Sequence, residues 1–173
     1  MRAIGVPAQN LPGIKNDGIF TVFKMKFKQQ IYDKCLQLIN EKIGHLNSVL
    51  KDLRETAGNE TKSSAGDKYE TARAMLQIEQ ENTGRQLNEA VAKKEQLETI
   101  NITAVSQKAG KGALIRTNRG YFFISVAIGK IMVNEKAVIA LSPQSPLGIE
   151  FNGSGINDVI KMNGTSYRIE SIE

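Results

Sequence analysis

The chain is predicted to be an α+β protein, with an N-terminal antiparallel coiled-coil helical hairpin followed by a small antiparallel β-rich domain. Two observations predict it. Tyr32, Leu36, Ile39, Ile43, Leu46, Leu50 and Leu53 recur at alternating steps of four and three, the spacing that keeps one apolar stripe facing a partner helix. From about Thr103 the apolar period drops to two, and short alternating runs are separated by turn residues such as Asn163 and Gly164.

The first helix is expected over residues 27–55, roughly 45 Å long at 1.5 Å per residue. Residues 56–66 (TAGNETKSSAG) break the apolar pattern, which puts a polar tip near residues 56–67. A second helical run follows to about Ile100, in which Tyr69, Ala72, Leu76, Leu87, Ala90 or Val91, and Leu97 can face the first helix. Glu79, Thr83 and Gly84 interrupt that stripe. Gly84 costs about 1 kcal/mol relative to Ala inside a helix, and a tolerated defect is expected there rather than a bend. Neighbouring helices joined by a short polar turn pack antiparallel, so the pair is a rod that carries its turn far from the rest of the protein.

Residues 1–24 hold Pro7 and Pro12 and no sustained period, and they lack the apolar core and cleavage site of a signal peptide. They read as a disordered leader or a non-native extension ahead of a start at Met25, which the intact mass of the native protein would decide. The coiled coil takes residues 25–101 and the β-rich domain residues 102–173. Runs 113–117 and 121–126 flank the turn sequence Asn118, Arg119, Gly120. Further short strands are expected at 130–133 and 137–141 around Asn134 and Glu135, and at 158–162 and 166–172 around Asn163 and Gly164. Between them, residues 142–148 form a Pro-rich loop into a short helical turn.

Composition narrows the function. With 173 residues the chain fits one or two small domains, and no apolar run is long enough for a transmembrane helix. A single cysteine, Cys35, excludes an internal disulfide framework and is compatible with a reducing cytoplasm. With His45 as the lone histidine, a structural zinc site built from this chain alone is also excluded. Of the net charge of +5, residues 101–173 carry eight bases against five acids, whereas residues 25–100 hold twelve of each. A mildly basic surface of that size fits a nucleic acid or an acidic protein, and equally a solvated face with no specific partner. Cys35 falls beside the seam with no base near it, which argues against a nucleophile. The run Ala109, Gly110, Lys111, Gly112, Ala113 lacks the full phosphate-loop pattern and reads as a flexible lead into the β-rich domain.

Several short matches fall in one order along the chain. They are Ser145, Pro146, Leu147 and Gly148; then Asn152 and Gly153; then Asn157, Asp158 and Val159; then Gly164, Tyr167, Arg168 and Ile169 before Ile172. In the rod, Tyr69, Glu70, Thr71, Ala72 and Arg73 follow the tip. Over residues 27–173 this pattern resembles the Gre family of bacterial transcription elongation (transcript cleavage) factors. That family reads Ser-Pro-Leu-(Gly/Ala), a glycine, Gly-Asp-x-Val and a closing Tyr-x-Ile, with Glu-Tyr-x-Ala-Ala-(Lys/Arg) just past the tip. The resemblance implies a C-terminal domain folded like the FK506-binding proteins. It also implies docking on the rim of the RNA polymerase secondary channel through Ser145, Pro146, Leu147 and Gly148, with the rod passing down the channel. The implied partners are RNA polymerase and the nascent RNA or DNA of the elongation complex, for a cytoplasmic, monomeric factor with no membrane role. No cofactor of its own is implied, since the Mg²⁺ belongs to the polymerase active site.

In the family an Asp-x-x-Glu pair at the tip helps hold the second Mg²⁺ that hydrolyses backtracked RNA, the chemistry of two-metal phosphoryl transfer. Anchored on Tyr69, those positions fall on Lys62 and Ala65, neither of which can ligate a metal. Asp52 with Glu55 and Asp67 with Glu70 repeat the spacing, and Glu60 lies between the pairs. The candidate acidic residues are therefore Glu60, Asp67 and Glu70. The plainer reading gives Asp67 a helix-capping role supported by Glu70. Thr61, Lys62, Ser63 and Ser64 are the tip residues that would touch the polymerase centre with or without cleavage. Leu147 reads equally as an apolar contact in the docking loop and as core.

The chain itself is not expected to be an enzyme. At most it stimulates the polymerase's own RNA cleavage, or it occupies the channel as a non-cleaving regulator. Prolyl isomerase activity is not expected either, because Tyr121, Phe122, Phe123, Phe151 and Tyr167 must largely build the core. The alternative from another class is a coiled-coil interaction or chaperone-like module with no polymerase role.

Overall fold

A computed structural model describes residues 16–60 and 67–173 of the chain. The architecture is α+β, two long N-terminal helices followed by a six-stranded mixed sheet. Helix α1 spans Asn16–Glu60 and α2 spans Asp67–Glu98. Three anchors along them show that they run antiparallel. Gln80 Nε2 donates to the Leu53 carbonyl at 3.3 Å, Ile39 and Ala90 border one small cavity, and Ile31 and Cys35 share a core with Leu97 and Ile100.

Helix α1 is longer at both ends than the apolar pattern predicts. It starts at Asn16, so residues 16–24 of the expected loose leader are helical. Asn16 and Asp17 are residue types that favour a helix start, and no proline follows them before Pro143. At the other end, residues 56–60 of the expected break continue the helix, and the Thr56 hydroxyl donates back to the Asp52 carbonyl at 2.9 Å. A polar sequence ends an apolar stripe without ending a helix. Helix α2 likewise runs unbroken through Gly84. Leu76, Gln80, Thr83, Leu87, Ala90, Lys94 and Leu97 step by four and three without interruption, and Thr83 is buried in that seam. The stripe that looks broken in sequence keeps its register with polar members.

Strands β1 (Leu114–Thr117), β2 (Gly120–Ile124), β3 (Gly129–Val133), β4 (Lys136–Leu141), β5 (Val159–Met162) and β6 (Thr165–Ile172) form one sheet in the order β3-β4-β2-β1-β6-β5. The hairpins fall at the expected turns. Asn134 and Glu135 between β3 and β4, and Asn163 and Gly164 between β5 and β6, all take positive φ, the geometry of two-residue hairpin turns. The sheet is mixed rather than wholly antiparallel, because β2 and β4 pair in parallel, Tyr121 to Val138 through Ile124 to Leu141. Residues 125–128 carry the chain past one strand position, and β4 then fills the gap. That gap is about 9.6 Å, two strand spacings, within the roughly 13 Å reach of four extended residues. Alternation within a strand specifies which face is buried and not which neighbour the strand chooses.

Both sheet faces are covered. On one, Leu114, Phe123, Val126, Ile131, Val133, Val138 and Ala140 pack against Ile31, Cys35, Ile39, Leu97 and Ile100. The base of the helix pair is thus part of the sheet's own core. On the other face, Ile115, Phe122, Ile124, Leu141 and Ile169 surround Phe151 of the short helix α3 (Pro146–Phe151). Phe122, Phe151 and Tyr167 form one ring cluster with centroids 5.3 to 6.2 Å apart. The segment 109–113 leads into β1, not into a helix. A Cβ on Gly112 would meet Ile100 Cγ2 at 2.8 Å, so this segment is packed against the end of the helix pair.

Candidate functional site

The loop into α3 is built locally. Ser145 caps the helix, its hydroxyl oxygen accepting from the Gly148 N–H at 3.1 Å while its O–H donates to the Ser142 carbonyl at 2.7 Å. Pro146 follows at the first helical position, where its fixed φ fits and its missing N–H costs nothing. Gly148 is buried, and a Cβ there would run into the Ser142 carbonyl oxygen. That close approach is what glycine permits. Phe151 anchors the far end of α3 with no exposed surface, and the Gly153 N–H donates to the Ala109 carbonyl at 2.8 Å. The four residues singled out in sequence are therefore fixed in one geometry, with Pro146 exposed and Leu147 half-buried against the second core.

Three exposed apolar side chains stand beside this loop, and the sequence reading singled out only Val159 among them. Ile149 on α3 is 60% exposed, and Ile156 just before β5 and Val159 at its start are each 52% exposed. Helix α3 packs on β5, and β5 is an edge strand of the sheet. Single exposed apolar residues are ordinary, but several around a rigid loop at a sheet edge make a surface suited to a protein partner. Ile149 was legible only through its spacing. It follows the buried Gly148 by one residue, which turns it outward on a one-and-a-half-turn helix.

At the far end of the helix pair, Thr61, Lys62, Ser63 and Ser64 lie outside the described residues, as does Ala65. Glu60 is the last residue of α1 and Asp67 the first of α2. Glu70 is exposed in the first turn of α2. Asp52 and Glu55 are exposed on α1, with Glu55 paired to Lys51 at 3.8 Å. Among the described residues no group of His, Cys, Asp and Glu is placed to hold a metal. Cys35 has no exposed surface, and burial pushes its thiol up to about 12, so it stays a protonated core side chain. It lies at the centre of the buried stripe and not beside it, because the base of α1 faces both α2 and the sheet.

Compared with known protein families and with curated proteins, the chain matches none. No helix among the described residues is long and apolar enough to cross a membrane.

Proposed function

We propose that the protein is an RNA-polymerase-binding elongation factor of Gre type, acting in the cytoplasm as a monomer through the polymerase secondary channel. In this reading the helix pair is an antiparallel coiled coil, and the sheet with α3 is a docking domain related to the FK506-binding fold. The observation that carries it is the placement of two features on one frame. The loop Ser145, Pro146, Leu147, Gly148 sits on the sheet, and the sheet shares its core with the base of the rod. From Ile31 at that core to Glu60 the rod extends about 43 Å at 1.5 Å per residue. A partner gripping the loop would hold the rod's far end at a set distance, which suits delivery of Glu60, Asp67 or Glu70 into a deep channel. The family's acidic pair falls on Lys62 and Ala65, which favours channel occupancy over metal delivery.

Cleavage of stalled, backtracked elongation complexes tests the reading, with wild type beside Asp67→Ala and Glu70→Ala and with binding to core polymerase followed in parallel. Faster release of short 3′ RNA fragments, lost in both variants, identifies a cleavage factor that carries a shifted acidic pair. Binding without cleavage identifies a channel-occupying regulator. Absence of binding overturns the polymerase reading. One observation favours the coiled-coil interaction or chaperone-like alternative in that event. Met75, Ile78 and Val91 stand 66%, 58% and 38% exposed along α2, apolar surface on the outside of the rod.

A further inference from the structure

Where the base of α1 meets the sheet, a cleft of about 740 Å³ opens between Lys26, Phe27 and Gln30 on the helix and Arg116, Tyr121, Asn134, Lys136 and Glu170 on the sheet. Its volume lies within the roughly 300–1,000 Å³ of small-molecule sites. Its walls combine three kinds of group.

Phe27 and Tyr121 supply aromatic surface, their rings edge to face with centroids 5.4 Å apart and both half-buried. Lys26 and Lys136 supply positive charge, and neither has a carboxylate within 4 Å among the described residues. Lys136 Nζ instead rests over both rings, 5.0 Å from the Phe27 centroid and 5.7 Å from that of Tyr121. A cation held that way at an exposed site is stabilised by only about 0.5–1 kcal/mol, so a stronger anionic partner can draw it off the rings. The third kind is polar. Asn134 Nδ2 donates to Gln30 Oε1 at 2.8 Å, which leaves the Gln30 amino group as a donor on the wall. Arg116 is already committed, its Nε 3.0 Å from Glu170 Oε2.

We infer that this cleft is a binding site for a nucleoside phosphate, with the phosphates on Lys26, Lys136 and the Gln30 amide and the base against Phe27 and Tyr121. A simple inorganic anion would use the lysines and leave the rings idle. An acidic peptide would likewise use the lysines and leave the rings without a flat base to stack on them. A nucleotide uses all three: lysine charge and the polar Gln30 amide for its phosphates and ring faces for its base, with the Glu170 carboxylate an acceptor for a ribose hydroxyl. The site depends on residues at the base of the rod, and it stands whether or not the protein binds a polymerase.

Isothermal titration calorimetry of the full chain with ATP, GTP and sodium tripolyphosphate, in magnesium-free buffer, tests it. At least one nucleotide should bind at least ten-fold more tightly than tripolyphosphate. Lys136→Gln, an exposed substitution, should weaken that nucleotide about ten-fold, the effect of one lost charge-assisted hydrogen bond. Tyr121→Leu, checked for folding by circular dichroism, should erase the difference between nucleotide and tripolyphosphate while leaving tripolyphosphate binding in place. Three results would each overturn the inference: no binding of either nucleotide at millimolar concentration, tripolyphosphate binding as tightly as the nucleotides, or nucleotide affinity unchanged in Lys136→Gln.

Discussion

The two ends of the helix pair are built differently. At the base, Ile31, Cys35 and Leu97 have no exposed surface and are closed in by the sheet. Further out, Leu53 and Ala57 on α1 and Ala72 and Leu76 on α2 are only half-buried, because each helix there has one neighbour instead of two layers. The seam of α2 changes with it, from Leu97 and Ala90 to Thr83 and Gln80. Stability is therefore concentrated where the rod joins the sheet. The outer rod is held mainly by its own helical hydrogen bonds and a narrow, partly polar contact, which leaves its sequence freer to vary.

Five substitutions sharpen or break that contrast. Leu97→Ala, at the fully buried base, should cost about 3 kcal/mol in urea unfolding, whereas Leu76→Ala in the half-buried outer seam should cost about 1 kcal/mol. Equal losses would mean that the outer rod is packed as firmly as the base. Gly148→Ala forces a Cβ onto the Ser142 carbonyl and should cost about 2 kcal/mol, with the loss visible in the same titration. An unchanged midpoint would show that the loop into α3 gives way easily.

Lys28 tests the base electrostatically. It is 3% exposed, its Nζ lies 3.4 Å from the Ala104 carbonyl, and burial lowers its pKa from the ordinary 10.5 against a raising pull from Glu173. Between the folded and unfolded values the unfolded chain binds more protons, so stability rises with pH through that window and the buried charge is most unfavourable below it. Lys28→Met should therefore stabilise the protein by about 1 kcal/mol at neutral pH, with a gain that shrinks as the pH approaches the unfolded value. Melting temperatures that keep the same difference across that range would contradict it. Gly84→Ala in the outer rod should stabilise by about 0.8 kcal/mol, since nothing lies within 4 Å of the added Cβ.

Much of the fold was legible because it rests on local chemistry. The alternation of buried positions located the strands to within a residue or two, and Asn163, Gly164, Asn134 and Glu135 marked their hairpins. The parallel pairing of β2 with β4 was not legible, since it depends on which strand occupies a gap, a tertiary choice. Helix limits were misread wherever apolar periodicity stood in for helix propensity, at residues 16–24 and 56–60. Of the loop into α3, Ser145, Pro146 and Gly148 could be read from their types, but Ile149 and the cleft at Tyr121 and Lys136 could not. The cleft joins residues from α1, β1, β2, β4 and β6, and no run of sequence contains them.

The order β3-β4-β2 has a kinetic meaning. β3 is made before β4 yet lies outside it, so it has no strand to pair with until β4 follows. The two strands can close as a hairpin on the turn at Asn134 and Glu135 and dock on β2 as one piece. The same dependence works in reverse. Amide protons of β3 and β4 should exchange together, as a single cooperative unit that leaves the sheet in one opening event while β2, β1 and β6 stay paired. Because Asn134 and Lys136 travel with that unit, so does one wall of the cleft at the base of the rod.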